Sequence, residues 1–328
     1  MFSLQGLLLL GYPYSAYFVL MHPRPAQPSP IQLLDDPLLE AARVRLYLKR
    51  DDLLHPHISG NKWRKLYYNL EAARQQGWER LLTFGGAYSN HIAATAAAGR
   101  EWGLQTIGII RGEEHLPLNP TLQFARQQGM ALHYLDREAY RHKDEPAQLE
   151  ALQQQLGPFY YIPEGGSNAL AVKGCAELVG ELDVQQYDFI ATACGTGGTL
   201  AGLVAGLNRR QQALGFPVLR GSSYLKGAVD ALTEAYNGQC YQNYQLMPDY
   251  HFGGYAKWTP ELINFINLFR DKTGIPLDPI YTGKMMFGLY DLVKKGWFKP
   301  GTRLLAIHTG GLQGIKGFNE RFGELVEG

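Results

Sequence analysis

The chain has 328 residues, 45% of them hydrophobic, enough for one large or two ordinary domains with a buried core. Its 31 lysines and arginines against 30 aspartates and glutamates leave a formal charge of +1 with no basic run, which excludes the electrostatic footprint of a nucleic-acid or membrane-surface binder. Cys175, Cys194 and Cys240 are too few and scattered for a disulfide framework or a CxxC metal site, so a reducing cytoplasm and small-molecule chemistry without a metal are expected.

Met1 to Leu20 are apolar, yet they lack the basic start and small-residue cleavage site of a signal peptide. Gly11, Pro13 and Ser15 also interrupt them as a spanning helix. Met21 offers an alternative start, and residues 1–33 read as an extension, disordered or outside the true beginning. Beyond it, short β-rich runs alternate with helical ones. The first half gives strand Val44 to Leu48, helix Lys62 to Gln76, strand Arg80 to Phe84, helix His91 to Trp102, strand Thr106 to Ile110, helix Pro120 to Gln128, and strands Ala131 to Leu135 and Phe159 to Ile162. The second gives helix Ala169 to Leu182, strand Phe189 to Cys194, helices Leu200 to Leu214, Glu261 to Lys272 and Lys284 to Lys295, strand Arg303 to His308, and helix Gln313 to Glu320. This alternation predicts an α/β fold with parallel sheets. The turn-rich break Gly165 to Asn168 marks a soft domain boundary.

Open α/β sheets bind ligands beyond the carboxyl ends of their strands, where the unusual residues of this chain fall. In the stretch Ser59 to Lys65, Lys62 begins an amphipathic helix beside Trp63 and Tyr67. Partial burial there would favour a neutral, imine-forming or basic amine, whereas a solvated lysine on a helix face is the alternative. Lys65, one turn on, either raises the positive potential or faces water. Gly85, Gly86 and Ala87 remove bulk before Ser89, Asn90 and His91, so a small carboxylate can approach the helix start; Ser89 and Asn90 equally read as caps. His91 is either a general acid/base or a packed histidine. Gly195, Thr196, Gly197, Gly198 and Thr199 link an apolar strand to a helix, with backbone N–H groups and two hydroxyls able to cradle a phosphate. No Gly-Lys-Ser/Thr follows and position 200 is leucine, so Walker A and dinucleotide fingerprints both fail; a bare turn remains the alternative. Tyr255 and Tyr281 are candidate phenols for stacking or proton relay.

In order, SGNKWRK, FGGAYSNH, PEGGSN, ACGTGGT, DPIYTGK and HTGG resemble motifs of the pyridoxal-phosphate enzymes of the tryptophan-synthase-β type, specifically the aminocyclopropanecarboxylate deaminase and D-cysteine desulfhydrase family. The resemblance runs from about Leu34 to the C-terminus, and six ordered motifs carry far more weight than any one. It implies two open, mostly parallel three-layer sheets (fold type II), with a large domain from residues 34–64 and 164–328 around a smaller one, 65–163. It also implies pyridoxal 5'-phosphate as cofactor, carried as a Schiff base on Lys62, which then serves as the Cα base. Asn90 would bond the 3-oxygen, Ser89 face a small amino-acid substrate, Gly195 to Thr199 hold the phosphate, Tyr255 and Tyr281 be the active-site tyrosines, and Thr282 and Thr309 lie about the pyridine ring. Where the deaminases of the family carry glutamate and leucine at the last two positions, this chain has two threonines, which points to β-elimination from D-cysteine over cyclopropane opening. An aminocyclopropanecarboxylate deaminase is the first alternative, a dehydratase, a racemase and a non-catalytic cofactor-binding protein are the others, and a homodimer is the family's usual assembly.

Overall fold

A computed structural model describes residues 28–207, 211–221 and 223–327 of the chain. The expected signal-like segment and alternative start lie outside these residues. Residues 31–33, expected in an extension, instead form strand β1 (Ile31–Leu33), antiparallel to β2 (Arg45–Lys49) at a sheet edge. That six-stranded sheet runs β1-β2-β10-β7-β8-β9, where β7 is Phe189–Cys194, β8 Gln212–Pro217, β9 Tyr244–Leu246 and β10 Arg303–Ile307. From β2 to β9 every pairing is parallel.

Alternation along the strands makes both of its faces apolar, the signature of a parallel sheet covered twice. Leu304 and Ala306 of β10 face a core with helices α1 (Pro37–Ala41), α9 (Pro260–Thr273), α10 (Thr282–Lys294) and α11 (Gly314–Phe322). Leu305 and Ile307 face α6 (Ala169–Gly180), α7 (Gly198–Gly206) and α8 (Tyr224–Asn237). A second, wholly parallel sheet has the order β5-β4-β3-β6, made from Ala131–Leu135, Gln105–Arg111, Arg80–Gly85 and Tyr160–Ile162 respectively. Helices α2 (Asn61–Gln75) and α3 (Asn90–Trp102) pack on one side of β3, α4 (Pro120–Gln127) joins the cluster around Ile110, and α5 (Pro146–Leu156) covers the other side.

The expected helix Leu200 to Leu214 is incorrect. α7 stops at Gly206, where a Cβ would lie 2.8 Å from the Ala176 carbonyl oxygen, and residues 212–217 become the buried strand β8 between β7 and β9. A short apolar run does not declare its period, so sheet insertion overrides the helical reading. Helices α5 and α8 were likewise not expected from the sequence.

α2 is locked from below by a buried ionic network. Arg64, 6% exposed, donates through Nε and Nη2 to both oxygens of fully buried Asp51 at 2.6 and 2.9 Å, and through Nη1 to Glu181 Oε1 at 2.7 Å. Lys49, 1% exposed, pairs with Glu181 Oε2 at 2.9 Å. α6 crosses α2 tightly, because a Cβ on Gly174 would sit 1.9 Å from the Arg64 carbonyl oxygen. Removing Arg64 leaves the fully buried Asp51 carboxylate without its cation, so Arg64→Met is expected to cost about 3–5 kcal/mol in urea unfolding of the cofactor-free protein. A loss of less than about 0.5 kcal/mol, the size of an ordinary surface change, would contradict this role.

Candidate active site

α2 begins where the chain touches the end of β10. Gly60 adopts φ 64°, and a Cβ there would fall 1.9 Å from the Thr309 carbonyl oxygen, so only glycine permits the approach. The same carbonyl accepts from the Asn61 N–H at 3.3 Å, and His308 fixes the turn by accepting from Gly310 N–H at Nδ1 and donating from Nε2 to the Pro276 oxygen. Lys62 and Lys65 therefore emerge side by side on the wall of one cavity of about 510 Å³.

Lys62 Nζ donates to the Gly165 carbonyl at 3.2 Å. Lys65, 2% exposed, donates to the same oxygen at 3.1 Å and to Ser167 Oγ at 3.0 Å. Burial, then the like charge of Lys65, hold the Lys62 amine well below the ordinary lysine range. Burial lowers Lys65 as well. Neither lysine is a solvated helix-face residue.

Against them lies the loop from β7 into α7. Gly197, at φ 84°, turns the backbone into the helix, and a Cβ on Gly198 would stand 2.9 Å from Lys65 Nζ. Thr199 Oγ1 accepts from Asn61 Nδ2 at 2.8 Å, while Thr196 Oγ1 and Ser167 Oγ are 2.5 Å apart. Gly195, Thr196, Gly197 and Thr199 line the cavity, with Gly198 one step behind against Lys65.

A third wall is the start of α3. Ser89 Oγ accepts from the N–H groups of His91 and Ile92 at 3.2 and 3.3 Å, so it caps the helix, and its own proton can still be offered to a ligand. Asn90 Oδ1 accepts from Gln313 Nε2 at 2.6 Å. Ser89, Asn90 and His91 all border the cavity.

Tyr255 and Tyr281 close the remaining side, edge to face with ring centroids 6.1 Å apart. Burial raises both phenols, Tyr281 well above the ordinary range with Tyr255 adding to the effect, so both keep their protons at neutral pH. Tyr255 rides on a segment with positive φ at Phe252, Gly253, Gly254 and Ala256. Fully buried Lys284 clamps that segment by donating to the His251 and Gly254 carbonyls at 2.9 and 2.7 Å. Its own pKa is pulled down to about 8 by burial, against the opposing charge of Asp278.

Thr309 borders the cavity, but Thr282 does not. The Thr282 hydroxyl is spent on Asp278: it donates to Oδ2 at 2.6 Å and accepts from the Asp278 N–H at 3.0 Å. The Asp278 carboxylate also accepts from the N–H groups of Ile280, Tyr281 and Thr282, which caps α10. Thr282, expected about the pyridine ring, is thus buried with its hydroxyl on Asp278 and does not line the cavity. Sequence reasoning missed Asn61, Arg111, Glu164 and Tyr224 on the cavity wall. Arg111 ends β4 and Glu164 follows β6, so the strand-end rule carried a signal for both.

Two enclosed amines, a glycine-cornered helix start rich in hydroxyls and a second helix start form a site for a dianion joined to a carbonyl-bearing ring. The donors fit pyridoxal phosphate: the Gly195–Thr199 cradle and Lys65 suit its phosphate, and Lys62 its aldehyde. A site of this kind on two parallel sheets defines a cofactor-dependent enzyme of α/β class, with fold type II architecture. The profile of the family described as pyridoxal-phosphate dependent enzyme matches residues 27–310, and the chain belongs to that family. It is 35% identical over 311 residues, 91% of this chain and 94% of the other, to a Pyrococcus horikoshii protein provisionally named 1-aminocyclopropane-1-carboxylate deaminase. It is 32% identical over 307 residues, 87% of this chain and 92% of the other, to D-cysteine desulfhydrase of Salmonella typhi. A crystal structure of an ACC deaminase homologue superposes with a TM-score of 0.80 at 33% identity, covering 96% of this chain and all of that one.

Because Lys284 shapes the Tyr255 segment, Lys284→Met is expected to speed amide exchange in residues 251–256 and to lower kcat/KM about tenfold, near 1.4 kcal/mol of transition-state stabilisation. Unchanged exchange in that segment would remove the clamp from the account.

Proposed function

We propose that the protein is a pyridoxal-phosphate-dependent lyase that converts D-cysteine and water to pyruvate, ammonia and hydrogen sulfide. The observation that carries this reading is the enclosed Lys62 amine, held below the ordinary lysine range in the cavity that the Gly195–Thr199 loop also lines. Pyridoxal phosphate, when bound, supplies a carbonyl for an amine and a conjugated ring that takes up the electron pair of a broken bond. Lys65, the Thr196 and Thr199 hydroxyls and the α7 N–H groups hold its phosphate. The Ser89 hydroxyl, at the positive end of α3, binds and orients the substrate carboxylate.

Lys62, neutral once released, takes the proton from Cα. The Cα–H electron pair moves toward Cβ as the Cβ–S bond breaks, and the sulfur leaves with that bond's pair and gains a proton as hydrogen sulfide. The paired phenols, protonated at neutral pH, lie where they can supply a hydrogen bond to the departing sulfur. Water then replaces nitrogen on the remaining three-carbon unit, which leaves pyruvate and ammonia.

A cyclopropane-opening activity is the second reading, favoured by the named relatives on that side of the family. We also infer that residues 65–163 form a smaller inserted domain, and that the protein works as a cytoplasmic homodimer. The three free cysteines, two of them buried, are consistent with a reducing compartment. No helix among the described residues is long and apolar enough to cross a membrane.

A panel of D- and L-cysteine, D- and L-serine and 1-aminocyclopropane-1-carboxylate tests the substrate. Pyruvate and sulfide in equal amounts from D-cysteine are expected; 2-oxobutyrate from the cyclopropane as the main product would move the assignment to the second reading, and cofactor binding with no turnover would leave a binding protein. Ser89→Ala is expected to raise KM for D-cysteine by about tenfold through loss of a charge-assisted hydrogen bond.

A further inference from the structure

Arg111 ends β4 on the cavity wall, and the reaction above gives it no task. Among the described residues its guanidinium has no hydrogen-bond acceptor and no carboxylate partner; it lies 5.9 Å from the Tyr140 ring. Glu164, the acidic residue that lines the cavity, is paired with Lys143 at 3.4 Å. The cofactor phosphate needs no second cation, because the Gly195–Thr199 loop is already packed against Lys65. A planar group with five N–H donors is thus left without an acceptor on the protein, at a place that a ligand reaches.

Its neighbours say which end of a ligand it meets. A Cβ on Gly86 would lie 3.8 Å from Arg111 Nη2, so the guanidinium sits beside the turn that leads to Ser89. Burial raises the Tyr255 phenol and the Arg111 charge opposes that rise, which brings the cation within reach of the tyrosine pair as well. With the substrate carboxylate at Ser89 and the departing sulfur at the phenols, a group that extends past the sulfur has Arg111 to meet. We propose that Arg111 receives an anion at the far end of the substrate side chain, so that the enzyme also cleaves β-thioethers whose sulfur substituent ends in a carboxylate. This rests on the lyase reading and widens the substrate class of that same site. With S-carboxymethyl-D-cysteine, Cα loses its proton, the Cβ–S bond breaks, and the sulfur leaves with that bond's electron pair and a proton as mercaptoacetate. One water replaces nitrogen on the three-carbon unit, which leaves pyruvate and ammonia.

The test uses two substrates that differ in charge alone, S-carboxymethyl-D-cysteine and its side-chain amide, with the cofactor-loaded protein and pyruvate as the readout. Arg111 is exposed, so the native protein is expected to favour the acid about fivefold in kcat/KM, the scale of a solvated ion pair. Arg111→Gln is expected to bring the ratio to about one, and Arg111→Lys, which keeps the charge and loses the fork, to retain part of it. A native ratio near one overturns the proposal, as does cleavage of D-cysteine but of neither thioether. So does a preference that survives in Arg111→Gln while both substrates lose equally, which would put Arg111 on the α-carboxylate. Should Arg111→Gln fail to fold, salt decides in the native protein: the preference is expected to fall toward one as ionic strength rises from about 0.01 to about 1 M, and a preference indifferent to salt overturns it. Absence of pyruvate from D-cysteine itself would sink the assigned function, and Arg111 is then judged by binding. D-2-Aminoadipate has the same reach and no leaving group; it is expected to bind about fivefold tighter than its side-chain amide, read from the cofactor's absorption, and equal binding overturns the proposal.

Discussion

Two lysines on one turn of α2, both turned into the same cavity and both reaching one carbonyl oxygen, set the terms for everything around them. Each suffers from burial, and Lys65 further opposes the charge of Lys62. An anion beside Lys65 relieves the strain on one amine and leaves the other free to stay neutral. In the proposed function the Gly195–Thr199 loop, packed against Lys65, holds such an anion without adding another positive side chain.

Holding those amines in place is costly, and much of the fold is committed to it. The residue between them in sequence, Arg64, points the other way into Asp51 and Glu181, so one helix presents a reactive face and an anchored face. Gly60 and Gly174 let the helix sit against Thr309 and α6 at distances that any side chain would forbid. The tyrosine side is built on the same plan: Asp278 caps α10 while Lys284 pins the loop that carries Tyr255. A change at position 282 reaches the cavity through Asp278 and Tyr281, since the Thr282 side chain itself stops short of it.

Much of this was legible in the residues. The strands Arg80 to Phe84, Ala131 to Leu135 and Phe189 to Cys194 fell within a residue of their observed bounds because each apolar run ended at glycine or a polar turn. The Lys62 helix and the loops at the strand ends were found by the same logic. β8 was hidden because an apolar segment such as residues 212–217 carries no period of its own until neighbours on both sides claim it. Nothing in the sequence singled out Arg64 and Lys49, since only the packed structure shows Asp51 and Glu181 waiting beneath them.

The claim on which the account turns is that Lys62 forms the covalent link to the cofactor. Borohydride reduction of the pyridoxal-phosphate-loaded protein, followed by peptide mapping, tests it most directly. A single reduced pyridoxyl group on Lys62, with Lys65 unmodified, is the predicted result; an adduct on Lys65 or Lys284, or none at all, would contradict it.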